Sequence, residues 1–259
     1  LIHAIPFTER GGAPRDLITA VDGSRSTPLV WGPWGLELSG GATGPYAEFA
    51  DRADWTITST GFSLAIGFKA QSLATAGNAT WFIGKGAASN YEWGLTYDNV
   101  PFVVGEDGKM AAYQWQPDGN NSRARYSDRV METGREYHVI ASWAGVNHIP
   151  NLYWEGLLRN GVTNDLGTDA LNGSAAVRIG GRTDASGFEH GGGIYYVYAW
   201  NRVLNAVEVA DFARDPEQLI TSKPRRTYFV PAVAAGTEGP LVGGRLLRGG
   251  ILAGGVLRR

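Results

Sequence analysis

The sequence predicts an all-β fold, an antiparallel sandwich of two β-sheets, followed by one short helix and an extended C-terminal tail. Short runs of alternating apolar and polar residues recur along the chain, and Gly, Asn and Asp separate nearly all of them. Such runs are typical of strands joined by tight turns. Parallel βαβ units would need helical patterns between the strands, and the sequence has none there. A sandwich of 259 residues commonly folds as one domain.

The clearest strand is predicted at residues 62–69. Here Phe62, Leu64, Ile66 and Phe68 alternate with smaller or polar residues, which is the period of a half-buried strand. Further strands are predicted at 79–85, 90–98, 100–108, 111–117, 135–143, 151–156, 176–181 and 192–201.

One helix is predicted, over residues 205–214. Asn205 can cap its first backbone N–H groups, and Glu208 completes a capping box. Pro216 ends it, because the residue before a proline is pushed out of the helical region. The composition changes after about residue 222, so we expect a jelly-roll domain over 1–222 and a basic link with a Gly-, Leu- and Arg-rich tail over 223–259.

The charge and the cysteine count exclude several classes of protein. A net charge of −2 gives no broad basic surface for nucleic acid, and no apolar run approaches the length of a membrane span. The chain has no cysteine, which excludes disulfides, thiolate metal sites and a cysteine nucleophile. We therefore expect neither a nucleic-acid nor a membrane partner.

The residues that catalysis would need are not arranged for it in the sequence. Glycoside hydrolysis requires two carboxylates flanking the scissile bond, yet Glu92 and Asp98 are six residues apart and Glu132 and Glu136 flank a predicted turn at Gly134. No G-x-S-x-G elbow occurs, and the four histidines show no metal-ligand spacing. The sequence predicts a protein that is not an enzyme.

The order of the segments resembles the laminin-G-like, concanavalin A-like family of jelly rolls over roughly residues 1–220. LELSGGATGPYAEFA resembles the family's opening strand pair, and FSLAIGFKA resembles its first long core strand. The segment from Val177 to Phe212 resembles its glycine-rich hairpin, final core strand and closing helix, in that order.

Many relatives with this opening and closing pattern resemble virion proteins of bacteriophages or prophages. The resemblance implies a non-enzymatic structural and binding protein on the virion surface, as a capsid decoration or a tail-associated component. Its partners would be copies of itself, a larger virion protein and a cell-surface glycan. A free-standing secreted carbohydrate-binding module, which would be extracellular, is the alternative, and a polysaccharide-cleaving enzyme is the third hypothesis.

Aromatic side chains with polar neighbours predict the ligand-binding residues. Sugar faces stack on rings while amides and carboxylates bind the hydroxyls, a combination that suits a polar ligand. The same rings are also typical of sheet cores. The predicted ligand-binding residues are Trp93, Tyr113, Trp115, Asp118, Asn120 and Asp184.

No cofactor is expected, and calcium at the rim of the sandwich is the alternative. Asp98, Asn99 and Asp184 carry the hard oxygen ligands that Ca²⁺ prefers. Asp and Asn in such places are more commonly turn residues, so the sequence favours turns.

The tail has apolar and basic side chains in a glycine-rich frame, which suits strand addition to a neighbouring chain. Packing of the tail on its own sandwich is the alternative. The residues predicted to mediate assembly are Arg245, Leu246, Arg248, Ile251, Leu252, Val256 and Leu257.

Overall fold

The fold is described from a computed structural model. It describes residues 1–7, 13–25, 30–32, 35–41, 45–73, 79–87, 90–98, 105–115, 122–166, 173–181 and 189–216. All of these belong to one compact unit, Leu1–Ile220. The link and tail lie outside the described residues, so the domain division near residue 222 stays a prediction.

The described residues form mostly strands, with a 3-10 helix at Ala53–Trp55 and an α-helix, α1, at Ala206–Arg214. The strands are β1 (His3–Pro6), β2 (Ser24–Arg25), β3 (Val30–Gly32), β4 (Gly35–Gly41), β5 (Ala47–Phe49), β6 (Phe62–Ser72), β7 (Ala79–Ala87), β8 (Asn90–Asp98), β9 (Lys109–Trp115), β10 (Ser122–Val130), β11 (Glu136–Trp143), β12 (Asn151–Trp154), β13 (Leu157–Leu158), β14 (Asn160–Asp165), β15 (Val177–Ile179) and β16 (Glu189–Trp200).

The strands form two antiparallel sheets that face each other. The first has the order β13-β12-β11-β6-β16, with β4 and β1 beside the two halves of β16 and β3 beyond β4. The second has the order β14-β10-β9-β8-β7-β15-β5-β2. A parallel bridge between Glu189 and Trp81 connects the sheets at one corner. The predicted antiparallel two-sheet sandwich with one short helix is confirmed.

The main core lies between the sheets, and a second cluster lies outside the first sheet. The prediction that β6 is half-buried was wrong, because its outer face is covered as well. Ala65 of β6 packs there with Tyr196 and Tyr198 of β16 and with Phe212 of α1. The closing helix therefore buries the face that the alternating pattern had assigned to solvent.

The predicted helix and its capping box are confirmed. The Asn205 side chain accepts hydrogen bonds from the backbone N–H groups of Val207 and Glu208, and the Glu208 carboxylate accepts one from the Asn205 N–H. Asp215 is the C-terminal cap. Val209 and Phe212 are the buried residues of the helix, which fixes the side that packs on the first sheet.

The strands missing from the predictions include two long ones of the second sheet. The sequence SRARYSDRV forms β10, and β14 pairs with it. Their alternation is obscured by arginines, although Ala124 and Tyr126 share one buried face. The strand predicted at 100–108 is not formed at residues 105–108, which make a turn before β9; residues 99–104 lie outside the described part.

His190 is fully buried near the rings of Phe68 and Phe82, whose centroids lie 5.6 Å and 5.0 Å from its own. Burial lowers the pKa of His190 to about 4, and the backbone of Lys69 and Gly193 opposes this shift only in part. The folded protein therefore holds a neutral imidazole in its core at neutral pH.

Lowering the pH from about 7 to about 5 should destabilise the fold through His190. The unfolded chain binds this proton near the ordinary pKa of 6.5, while the folded chain binds it only near pH 4. Between these two values the unfolded state holds more protons than the folded state. The free energy of unfolding therefore decreases as the pH is lowered, by on the order of 3 kcal/mol between the ordinary pKa and the lowered one. Asp16 acts in a separate window, because its pKa of about 2 removes stability only below about pH 4.

Urea unfolding of the wild type and of His190→Leu at several pH values measures this effect. In the variant, the free energy of unfolding should depend less on pH over this range, whatever its value at neutral pH. The same pH dependence in both proteins would contradict the assignment.

Candidate functional site

The outer face of the second sheet carries a cluster of large rings, which we call the aromatic face. Its members come from four neighbouring strands, β7 to β10, and each ring residue is 8% exposed or less. Ala111 and Ala124 lie among them. The rings are Trp81, Tyr91, Tyr113, Trp115 and Tyr126.

The pairing of the strands explains why rings and small residues alternate across this face. Residues directly opposite each other in antiparallel strands project from the same side of a sheet. Each of two cross-strand rows on this side combines large and small residues. The rows are Gly84–Gly94–Tyr113–Ala124 and Trp81–Thr96–Ala111–Tyr126.

Trp81 lies flat over two glycines of the sheet. A Cβ atom added at Gly84 or at Gly94 would collide with the six-membered part of the Trp81 ring. One side of the indole therefore rests on the backbone of β7 and β8, and its other side is directed away from the sheet. Glycine in a strand interior commonly marks such a close approach.

Two β-bulges turn rings onto this face. In β7, Trp81 pairs with Thr96 and Ile83 with Leu95, so Phe82 is an extra residue. In β8, Tyr91 pairs with Gly86 and Trp93 with Lys85, so Glu92 is an extra residue. Each bulge shifts the two-residue period by one. As a result, Trp81 and Tyr91 point outward although Ile83 and Trp93, two residues away, belong to the main core.

The second bulge is held by a buried ammonium group. The Nζ atom of Lys85, which has no exposed surface, lies 3.0 Å from Glu92 Oε2 and 2.8 Å from Asp51 Oδ1, and it donates to Thr56 Oγ1 at 2.9 Å. Glu92 Oε1 accepts the backbone N–H of Gly173. Burial raises the pKa of Glu92, and Lys85 and the Gly173 N–H act in the opposite direction.

The polar groups of the aromatic face are Asp98 and Thr96. The Tyr113 hydroxyl donates to Asp98 and lies 2.9 Å from the Tyr126 hydroxyl. Tyr113 is opposite Gly94, and Asp98 lies four residues further along β8, roughly 13 Å away. The Tyr113 ring must therefore lie along the sheet. Burial, with Asp98 second, raises the pKa of Tyr113 well above its usual range.

Thr96 differs from these groups, because its hydroxyl is buried without a hydrogen-bond partner among the described residues. It lies between Trp81 and Ala111 in the second cross-strand row. Most buried hydroxyls are hydrogen-bonded, since leaving one unpaired costs about 1–3 kcal/mol. This hydroxyl therefore has unused hydrogen-bonding capacity, at a residue that is 1% exposed.

The rings contact one another in a continuous series. The centroids of Trp81 and Trp115 are 5.2 Å apart with an angle of 18° between the planes, and those of Tyr113 and Trp115 are 4.5 Å apart. Tyr91 lies 5.3 Å from Trp81. Stacked or offset rings at these distances stabilise one another. Tyr91 and Trp115 meet at 56° and Tyr113 and Tyr126 at 85°, so the rings form a packed cluster.

The structure brings together two of the sequence-predicted site residues. Tyr113 and Trp115 both belong to the aromatic face, whereas Trp93 lies in the main core and donates its indole N–H to the backbone oxygen of Trp55. Asp118, Asn120 and Asp184 lie outside the described residues, as does the whole predicted assembly segment: Arg245, Leu246, Arg248, Ile251, Leu252, Val256 and Leu257.

Sequence reasoning missed Trp81, Tyr91 and Tyr126 as members of this site. The bulges that redirect Trp81 and Tyr91 leave no mark in a simple alternating pattern. One signal was available: Gly84 and Gly94 lie inside strands, close in sequence to tryptophans, and glycine there often marks a ring or a ligand against the backbone.

The described residues contain no group of three or more His, Asp or Glu placed to hold a metal ion. Of the residues considered for calcium, Asp98 accepts the Tyr113 hydroxyl, while Asn99 and Asp184 are outside the described part. The calcium alternative therefore stays a prediction. No helix among the described residues is long and apolar enough to cross a membrane.

The fold and this face define a class of protein: a two-sheet antiparallel β-sandwich with aromatic residues on the outer face of one sheet. No family model matches the chain, and no curated protein matches its sequence. Solved structures share the fold. A sialidase of Trypanosoma rangeli, in complex with 2,3-difluoro-KDN, is 18% identical with a TM-score of 0.58, over 84% of this chain and 33% of that one.

Two further structures have the same TM-score. Domain 4 of AbnA, an extracellular GH43 arabinanase from Geobacillus stearothermophilus, in complex with arabinotriose, is 16% identical over 82% of this chain and 98% of its own. Botulinum neurotoxin type C, whose cell entry depends on two ganglioside molecules, is 10% identical over 82% and 51%. This chain spans about a third of the sialidase's length. At such identities the similarity concerns the fold alone.

Proposed function

We propose that this chain is a glycan-binding module without catalytic activity, and that the aromatic face contains its binding site. The observation that carries the proposal is the unpaired hydroxyl of Thr96 beside a tryptophan that lies flat on two glycines. A sugar ring has an apolar face and equatorial hydroxyls. It can therefore stack on an indole while an adjacent hydroxyl and a carboxylate bind its polar edge.

The polar groups of the face match this chemistry. Thr96 can donate to or accept from a sugar hydroxyl, and a carboxylate such as that of Asp98 has more than one lone pair to offer. Tyr91 and Trp115 are the most exposed rings of the face, at 8% and 5%. We therefore expect a ligand to contact these two rings first.

The similar structures support a glycan ligand without specifying one. The sialidase is complexed with a sialic acid analogue, domain 4 of AbnA with arabinotriose, and the neurotoxin interacts with gangliosides. All three proteins therefore act on, bind or interact with a carbohydrate or a glycolipid. A sandwich with aromatic residues on the outer face of its second sheet is consistent with a carbohydrate ligand.

The carboxylates near the face are committed to other partners. Glu92 and Asp51 share the ammonium of Lys85, and Asp98 accepts the Tyr113 hydroxyl. A hydrolase needs one protonated acid and one ionised base or nucleophile at the scissile bond. Lys85 opposes the rise that burial produces in the pKa of Glu92. This arrangement supports binding rather than cleavage.

Replacing Thr96 by Val should weaken glycan binding without destabilising the fold. Valine has the shape of threonine and removes an unpaired buried hydroxyl, so the free energy of unfolding should stay constant or rise by about 1 kcal/mol. Loss of one hydrogen bond to a sugar should reduce affinity roughly fivefold to tenfold. An array of immobilised oligosaccharides that includes arabinotriose and sialylated glycans identifies the probe, and calorimetry then measures its affinity.

Controls separate this effect from general damage. Thr133→Val changes an exposed threonine in the turn before β11, and Trp31→Ala removes a ring from the first sheet; both should bind as the wild type does. Trp115→Ala should abolish binding. If the Thr96→Val variant binds normally and loses stability, the Thr96 hydroxyl has a structural role. An array on which no glycan binds the wild type would refute the proposal.

Polysaccharides incubated with the protein should release no reducing sugar. The expectation follows because the carboxylates described near the aromatic face are bound to other groups. A colorimetric end-group assay on arabinan and on sialylated glycans measures it. Cleavage that disappears in Glu92→Gln would identify the protein as an enzyme.

The narrower proposal is that this module is carried on the surface of a phage or prophage particle, on the capsid or the tail. It rests on the order of the sequence segments and on the composition of the tail. We expect the chain in particles purified by density gradient after prophage induction, and mass spectrometry can detect it there. Recovery only in the particle-free medium would favour the secreted, free-standing module.

A further inference from the structure

The two sheets end on the same side of the sandwich, in one continuous segment. β13 is the last strand of the first sheet and pairs with β12, while β14 is the last strand of the second and pairs with β10. Neither has a second neighbour within the described ranges. We call residues 157–166 the apolar edge, because its exposed side chains include Leu157, Leu158, Val162 and Leu166.

The apolar edge combines features that proteins normally avoid together. These four side chains are between 45% and 58% exposed. A strand edge also presents unpaired backbone N–H and C=O groups, and edges that are apolar as well are prone to pair with another chain. The segment is therefore suited to accept an added strand.

Two ion pairs with exposed carboxylates lie along this edge. Asp165 pairs with Arg123 at 2.9 Å, and Asp128 pairs with Arg159 at 3.6 Å. In each pair the carboxylate is the more exposed partner, at 55% against 13% and at 41% against 19%. A basic segment that approached the edge would thus meet the carboxylates first.

The described chain ends next to this edge. Helix α1 packs against the turn that precedes Leu157, where a Cβ atom added at Gly156 would lie 3.0 Å from Ala213 Cβ. Residues 217–259 follow Pro216. Their last part contains Leu, Ile and Val side chains and four arginines, with no acidic residue after Glu238. Its apolar side chains could cover those of the edge, and its positive charge complements the exposed carboxylates there.

The structure assigns the C-terminal segment 241–259 of one copy as the strand that adds to the apolar edge of a second copy. Backbone hydrogen bonds would extend the second sheet beyond β14, apolar side chains such as Leu246 and Ile251 would cover the exposed leucines and valine, and arginines would pair with Asp128 and Asp165. This inference does not depend on glycan binding.

The length of the link between the sandwich and the tail allows the tail to reach the apolar edge of a second copy. Residues 217–240 begin beside the chain's own edge, yet extended they span up to roughly 80 Å. Pro224, Pro231 and Pro240 favour extended conformations in this link. A link of this length can reach the edge of a neighbouring copy, and return of the tail to the chain's own edge is the alternative that hydrogen exchange distinguishes. The resulting contact is head-to-tail, so copies form a ring or a chain.

The test is a complementation experiment on the full chain. An edge variant carries Leu158→Asp and Val162→Asp, and a tail variant carries Leu246→Asp and Ile251→Asp. Analytical ultracentrifugation should give the wild type a mass at least twice the 27.8 kDa of one chain, and each variant the mass of one chain. A mixture of the two variants should form a species of twice that mass, because the intact tail of one fits the intact edge of the other.

A matched control and a milder variant complete the design. Val207→Asp changes an apolar residue of α1 that is 70% exposed and outside the edge, and it should assemble like the wild type. Asp165→Asn leaves the apolar side chains in place and should weaken association severalfold while reducing its salt dependence. Circular dichroism shows whether the edge variant folds. If it does not fold, the Asp165→Asn variant still tests the inference.

Several outcomes would overturn the inference. One such outcome is a wild type that is a single chain at every concentration. Another is an edge or tail variant that assembles as the wild type does. A mixture of variants that stays at the mass of one chain would exclude exchange between copies. Protection from hydrogen exchange of the β14 amides that point away from β10, in a single-chain wild type, would instead show that the tail covers its own edge.

Discussion

The buried ammonium of Lys85 is the interaction on which the shape of the aromatic face depends. A charge taken out of water is tolerated only when it is paired and hydrogen-bonded. Asp51, Thr56 and Glu92 provide those partners. Because Glu92 is the extra residue of the bulge in β8, the pairing that satisfies Lys85 also fixes the point at which the strand changes face. Tyr91 points outward as a consequence.

The two sheets bury their outer faces by different means. Helix α1 covers the first sheet, where Phe212 packs against Tyr196 and Tyr198. Within the described part of the chain, the cluster on the second sheet is made of residues from that sheet, and Trp81 lies over two of its glycines. Trp81 and Trp115 stack at 18°, whereas Tyr113 and Tyr126 meet at 85°, so these rings form a packed aromatic cluster on the sheet.

The aromatic face and the apolar edge are separate surfaces that share a strand. β10 contributes Tyr126 to the face and pairs with β14 at the edge. A glycan contact through a few rings is weak by itself, since it buries little area. Copies joined through their edges would present several such faces at once, and linked sites bind with a much higher overall affinity than single ones. The two proposals therefore support a common use.

The sequence by itself determined the class of fold, most strands and the closing helix. Those features depend on local properties: the two-residue alternation of strands such as β6, the turn residues between them, and the capping pair of Asn205 and Glu208. It also indicated Tyr113 and Trp115 as ring residues of one site. Only the tertiary structure decided that Trp93 belongs to the core while Trp81 and Tyr91 belong to the face. The bulge in β8 depends on how two strands pair, with Lys85 of β7 opposite Trp93, and no period in a single strand reveals it.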